Sequence, residues 1–190
     1  PLGCAVGNAL EVREAIETLQ GHGPLDFTEH CLVAAGHMLR LAGKSSADDL
    51  SDVRPLLEEK LRNGEALAMF RRLVELQGGD VRQIDTPDML PTAPVRLEVR
   101  AEASGYLAEV NAQDVGTAAL ELGAGRVRKG APIDHAVGVI IDHKVGDRVS
   151  QGEKLATIHA RTEAAAGAAA VRVLAAHRIT QQAVPPIPHF

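Results

Sequence analysis

Val95-Arg96-Leu97-Glu98-Val99-Arg100 alternates apolar and charged side chains at a period of two, the mark of a strand with one buried and one wet face. Working outward from it, Leu107 and Val110 follow Gly105 in a second strand, and Ala136 to Ile141 is a short apolar run read as a buried strand. Short helices are expected over Asp114 to Leu122 and over the Ala-rich Glu163 to Ala176, whose alanines favour a helix but add little core volume. Val184-Pro-Pro-Ile-Pro188 cannot form a helix or a central strand and reads as a strap over the surface. Upstream, Pro87, Pro91 and Pro94 interrupt any periodicity between Asp80 and Pro94, so an extended linker is expected there. These readings divide the chain into a helical part over 1–79, a proline-rich linker over 80–94 and a strand-rich α/β module over 95–190. The fold class is α+β.

The helical part follows from spacing and punctuation. Asn8 with Glu11 three residues on has the form of a capping box, and Ala9, Val12, Ile16 and Leu19 then share one face of a helix from Ala9 to Gln20. Gly21 and Gly23 close it and Pro24 forbids continuation. Thr28 opens a second helix with Leu32, Ala35, Leu39 and Leu41 on its apolar side, ended by Gly43. A third is expected between Ser46 and Asn63 with Leu56, Leu57 and Leu61 inward and Pro55 in its first turn. A fourth, Glu65 to Gln77, is expected to bury Leu67, Phe70, Leu73 and Val74 before Gly78-Gly79.

Composition narrows the function. Lys and Arg number 20 against 25 Asp and Glu in 190 residues, a formal charge of −5, which lacks the broad basic surface that duplex nucleic acid requires. The aromatic residues are Phe27, Phe70, Tyr106 and Phe190, too few for base-stacking platforms. The apolar stretches fall short of the roughly 20 residues that span a bilayer, so neither nucleic acid nor a membrane is an expected partner. Cys4 and Cys31 have no CxxC spacing and follow no secretory signal, which reads as buried, reduced thiols of a cytoplasmic protein. The chain opens on Pro1 without an initiator Met, directly before a strong helix signal, and so reads as a piece of a longer protein.

His22, His30, His37, His135, His143, His159, His177 and His189 form no paired ligand spacing such as HExxH. GxSxG, Walker and GxGxxG patterns are absent from the sequence. Arg126, Arg128 and Lys129 after Gly123-Ala-Gly125 read as a solvated loop before they read as a phosphate site. In Leu2-Gly3-Cys4-Ala5-Val6-Gly7-Asn8, glycines ahead of a helix leave main-chain groups free for a ligand: its amides suit an anion, its carbonyls with Glu14 suit a hard cation. Spacing alone favours a third reading, a tight loop packed on a sheet. Gly146-Asp-Arg-Val149 with Gly152-Glu-Lys-Leu155 has the GDxVxxGxxL form of a hairpin in biotinyl and lipoyl carrier domains, which argues for a barrel-sandwich hybrid. The AMKM context of a modified lysine is missing, so Lys144 and Lys154 read as surface lysines.

Longer motifs carry a resemblance. Pro1-Leu-Gly-Cys-Ala-Val-Gly-Asn-Ala-Leu-Glu-Val-Arg-Glu-Ala-Ile-Glu-Thr-Leu19 is similar to the PLGxAVGNALEVxEAIxTL segment of pyrimidine-nucleoside and thymidine phosphorylases. Gly105-Tyr106 ahead of Asp114-Val-Gly-Thr-Ala, Leu122-Gly-Ala-Gly-Arg126, Ile133-Asp134 with Val137-Gly138, and Gly146-Asp-Arg-Val with Leu155-Ala-Thr-Ile-His159 follow in the same order, so the resemblance covers nearly the whole chain. It implies the C-terminal portion of a homodimeric salvage enzyme that cleaves uridine or thymidine with phosphate as co-substrate, giving a free base and a pentose 1-phosphate. The implied fold is the helical closing part of that family's α/β domain followed by a strand-rich C-terminal module of hammerhead type. The family's phosphate-binding and base-binding residues fall upstream of Pro1, so no catalytic or substrate-binding residue is carried onto this sequence. A potassium ion is implied at Leu2, Ala5 and Glu14, with Cys4 where PLGYA has Tyr. A lipoyl-like or biotinyl-like carrier or binding module without catalysis is the alternative reading.

Overall fold

The structure, a computed structural model, describes residues 1–47 and 50–188; His189 and Phe190, named above, lie outside the described residues, as do two positions ahead of the third helix. In chain order the elements are β1 (Ala5–Gly7), α1 (Asn8–Leu19), α2 (Leu25–Leu41), α3 (Arg54–Arg62), α4 (Glu65–Leu76), α5 (Arg82–Asp85), β2 (Val95–Arg100), β3 (Gly105–Val110), α6 (Ala112–Ala119), β4 (Gly138–Ile141), β5 (Arg148–Val149), β6 (Lys154–Ala160), α7 (Glu163–Ala175) and β7 (His177–Thr180). The fold is α+β, with two open antiparallel sheets in the orders β1-β4-β6-β2 and β5-β3-β7.

Register explains the main core. Leu97 stands opposite Ile158, which stands opposite Val139, and Val99, Ala156 and Ile141 make the next row, so the apolar positions of the alternating strand line up across three strands. Helices α6 and α7 cover this face with Val115, Ala118, Ala119, Ala166, Ala169 and Val173, all buried. Alanines on both helices keep the layer thin, so side chains no larger than Val and Ile fill the space between helix and sheet. A second cluster joins Ala101, Leu107, Val149 and Leu155, bringing together residues of both sheets. Asn111 accepts from the Asp114 amide to cap α6, and Thr162 accepts from the Ala165 amide to cap α7. After α6 the chain widens into a π-turn over Leu120–Ala124, where Gly123 reaches φ 108°.

The helical part is packed more sparsely. Ala9 and Ile16 of α1 meet Ile84, Leu90 and the α4 residues Leu67, Phe70 and Val74. Leu41 at the end of α2 is 89% exposed and Leu76 at the end of α4 is 74% exposed. A two-pronged ion pair from Arg54 to Glu29, with Glu58 on its Nε, ties α3 to α2.

Several expectations are corrected. Asn8 does not cap α1: its Nδ2 donates to the Ala124 carbonyl, and Glu11 alone keeps its half of the box by accepting from the Gly7 amide. Helix α2 starts at Leu25, not Thr28, because Pro24 serves as its cap and Thr28 Oγ1 donates back to the Pro24 carbonyl. Helix α3, Arg54–Arg62, lies within the stretch expected for it, with Pro55 in its first turn as expected. Val12, Leu56 and Leu73, expected inward, and Cys31, expected buried, are exposed. The Asp80 to Pro94 stretch holds α5 and a 3-10 turn over Pro87–Met89 instead of running extended, because Ile84 and Leu90 are drawn into the α1–α4 core. The strap reading holds: at Gly146, with φ 97°, a side chain would meet Pro186 backbone at 2.9 Å, so the tail lies directly on that turn.

His177 opens β7 in a buried position. Its Nδ1 lies 2.6 Å from the Val173 carbonyl, to which it donates, while Nε2 is buried without a partner among the described residues, which favours the neutral ring with its proton on Nδ1. Burial, above all, lowers its pKa, against the opposing pull of the Val173 bond. The folded ring therefore resists protonation that the unfolded chain accepts below about pH 6.5, so its contribution is present above that pH and lost as pH falls toward the folded value. His177→Phe is expected to flatten the acid slope of stability by up to about 1.4 kcal/mol per pH unit just below 6.5. Urea midpoints of the two proteins at pH 7.5 and 5.5 measure this, and parallel losses would show that His177 is not the linked group.

Candidate functional site

The Leu2–Asn8 loop closes on the helix it precedes. Side chains on a helix lean toward its N-terminus, so Glu14, on the second turn of α1, reaches back over the loop. Its Oε1 accepts from the amides of Cys4 at 2.8 Å and Ala5 at 3.0 Å. The carboxylate lies against Gly3, where φ is 65°, a backbone conformation that favours glycine, and where a Cβ would displace Oε2. β1 is the edge of its sheet, and Ala5, whose amide goes to Glu14, turns its carbonyl with that amide toward the open edge. Burial raises the Glu14 pKa, against the pull of the two amides and of the Lys144 charge.

A second carboxylate stands on the other side of the loop. Asp26, in the first turn of α2, pairs with Lys144 Nζ at 3.1 Å, and Lys144 also donates to the carbonyls of Pro1, at 2.7 Å, and Gly3. Burial alone would raise Asp26, but the Lys144 hydrogen bond and charge, with the amides of Phe27 and Gly3, hold it below the usual carboxylate value. Lys144 is fixed in turn by its own turn, where its amide donates to Asp147 Oδ2 and its carbonyl accepts from the Asp147 amide. Glu14 and Asp26 bring two carboxylates, and Lys144 an ammonium, to a carbonyl-rich loop. Main-chain carbonyls beside a carboxylate are the oxygen donors that hard cations take, and this is the donor chemistry of Leu2, Ala5 and Glu14, the residues at which the resemblance implies potassium.

Sequence reading found Glu14 but missed its two companions. Lys144 reads as one more lysine in a turn, and Asp26 as a helix N-terminal charge with an ordinary dipole role. Neither position signals a long-range partner. Cys4 beside them is raised in pKa chiefly by burial, which keeps its thiol protonated and unreactive.

The other candidates lie elsewhere. Arg126, Arg128 and Lys129 sit on an exposed loop after the Gly123 turn. His143 lies between Asp147 and Glu153, while His159 and His177 are buried in different strands. Among the described residues no three of His, Cys, Asp or Glu converge in a way that could hold a metal ion. Lys154 pairs with Asp142 at 2.9 Å, so both lysines of the carrier-like turns are engaged in ion pairs, which disfavours the carrier alternative. A cleft of about 730 Å³ runs between α1, α4 and α6, lined by Val6, Val12, Phe70 and Leu120 with Glu11 and His135 at its polar positions. Its walls are mainly apolar and offer no cluster of cations to a phosphate. No helix of the described residues is long and apolar enough to cross a membrane.

The strand-rich module defines the class: residues 106–180 match the family described as the pyrimidine nucleoside phosphorylase C-terminal domain. The similarity extends upstream of that module. Over 163 residues, 86% of this chain, it is 49% identical to the pyrimidine-nucleoside phosphorylase of Geobacillus stearothermophilus, and 47% and 46% identical to those of Staphylococcus haemolyticus and Staphylococcus aureus. The chain thus matches the C-terminal portion of pyrimidine-nucleoside phosphorylases. It spans 37% of the length of these relatives.

Proposed function

We propose that this chain is the C-terminal supporting part of a cytoplasmic pyrimidine-nucleoside phosphorylase, a homodimeric pentosyltransferase of nucleoside salvage. It uses phosphate to cleave uridine or thymidine into a free base and a ribose or deoxyribose 1-phosphate. The observation that carries this is the 49% identity over 163 residues, a stretch longer than the strand-rich module alone. Phosphorolysis needs phosphate held under the anomeric carbon, positive charge tolerated on the sugar as the bond lengthens, and negative charge stabilised on the departing base. In this reading the groups that meet those needs belong to a part of the enzyme other than this chain, and the isolated chain cleaves neither nucleoside.

The chain's own contribution is positional. Leu2 and Ala5 carbonyls with the Glu14 carboxylate would hold a potassium ion, whose charge would brace the loop against the phosphate-binding part of the enzyme. The chain divides at 80–94 into a helical part of the α/β domain and a C-terminal module. Gly146 and Gly152 at adjacent turns, with Val149 and Leu155 in one cluster, support a barrel-sandwich (hammerhead) reading of that module.

A chimera tests the proposal. Replacing the matched 163-residue segment of the Geobacillus enzyme by this chain's is expected to leave phosphate-dependent release of uracil from uridine, while the chain alone releases none. A folded chimera without that activity, or uracil release by the chain alone, would overturn it.

A further inference from the structure

Lys144 belongs to the strand-rich module, in the turn between β4 and β5, yet its ammonium is spent on the other end of the chain. The carbonyls it takes, those of Pro1 and Gly3, flank Leu2, and its partner Asp26 anchors it to α2. Long lysine side chains left in solvent sample many rotamers, so a lysine meeting two carbonyls and a carboxylate is held by the fold rather than met by chance. The turn is itself held: Asp147 binds it from within, the Gly146 amide donates to the Leu107 carbonyl, and the C-terminal strap lies on Gly146.

We propose that Lys144 is a positioning residue for the monovalent-cation loop, setting the Leu2–Ala5 carbonyls in place from the strand-rich module and so fixing the loop's affinity for potassium. This rests on the cation reading given above. With Lys144 in place the loop is pre-formed around Glu14 and an arriving ion orders little. Without it, the Pro1 and Gly3 carbonyls turn to water and Asp26 loses its counter-charge, so binding must first reorder the loop.

The test uses the intact protein, with potassium chloride exchanged against N-methylglucamine chloride at constant ionic strength. The potassium concentration at half of the rise in unfolding temperature is read alongside thallium(I) binding by thallium NMR. Lys144→Met is expected to raise the half-effect concentration by about ten- to a hundredfold, the range for outer-shell partners of bound metals, with Lys144→Arg in between. Should Lys144→Met not fold, Asp26→Asn keeps the ammonium and is expected to shift the midpoint the same way by a smaller factor, and no shift overturns the proposal. A wild-type protein that neither binds thallium nor responds to potassium sinks the cation reading and this inference with it. A responsive wild type whose Lys144→Met variant has an unchanged or lower midpoint leaves the cation reading standing and overturns the role of Lys144 alone.

Discussion

Glu14→Ala is expected to destabilise the protein by about 2–3 kcal/mol, because it strands two main-chain donors, Cys4 and Ala5, that fold around its carboxylate. A half-buried amide regains some water when its partner is cut away, which keeps the loss below the sum for two fully buried groups. Glu14→Gln is the informative contrast. Its amide oxygen still accepts from both donors, so only the charge is removed, and the expected loss is about 1 kcal/mol. Under the proposed cation reading the same change is expected to weaken the response of the intact protein to potassium. Urea unfolding with and without potassium chloride measures both effects. An alanine variant within about 0.5 kcal/mol of the parent would mean that the loop is not built on Glu14.

Ile158→Ala carries the other large effect, about 3–4 kcal/mol. Ile158 is fully buried at the centre of the four-stranded sheet, between Leu97 and Val139, and α6 and α7 close over it. Neither neighbour can move into the space, since each is fixed by its own strand register. Leu41→Ala, at the open end of α2, removes a side chain of the same class and is expected to change stability by less than about 0.5 kcal/mol. The pair tests where the folding energy resides: equal losses on urea unfolding would contradict a core centred on the sheet.

Much of the helical and strand pattern was legible because period and punctuation are local. Val95 to Arg100 alternates, and it is a strand; Pro55 stands in a first turn, and Gly78 ends α4 at φ 76°. The errors fall where a distant residue outbid a local one. Asn8 has every local reason to cap α1, but the Ala124 carbonyl reaches its side chain from far along the chain. Leu73 has the spacing of a core residue, but α4 turns that position to solvent. The β7 strand, His177 to Thr180, went unread because its four residues lack a pattern of their own and become a strand only by lying against β3.

The amino-acid sequence by itself determined the α+β class, the positions of most helices, the glycine loop with Glu14 and the family resemblance, because each depends on residues close together or on motifs read in order. Only the tertiary structure decided that β1 completes a sheet with β4, that α5 packs into the α1–α4 core, and that Lys144 and Asp26 grip the loop. A hydrogen bond between residues 1 and 144 has no period, spacing or punctuation to announce it. It forms because the two sheets and the Gly146 turn bring Lys144 to the loop, where the ammonium must meet carbonyls and a carboxylate once water is removed.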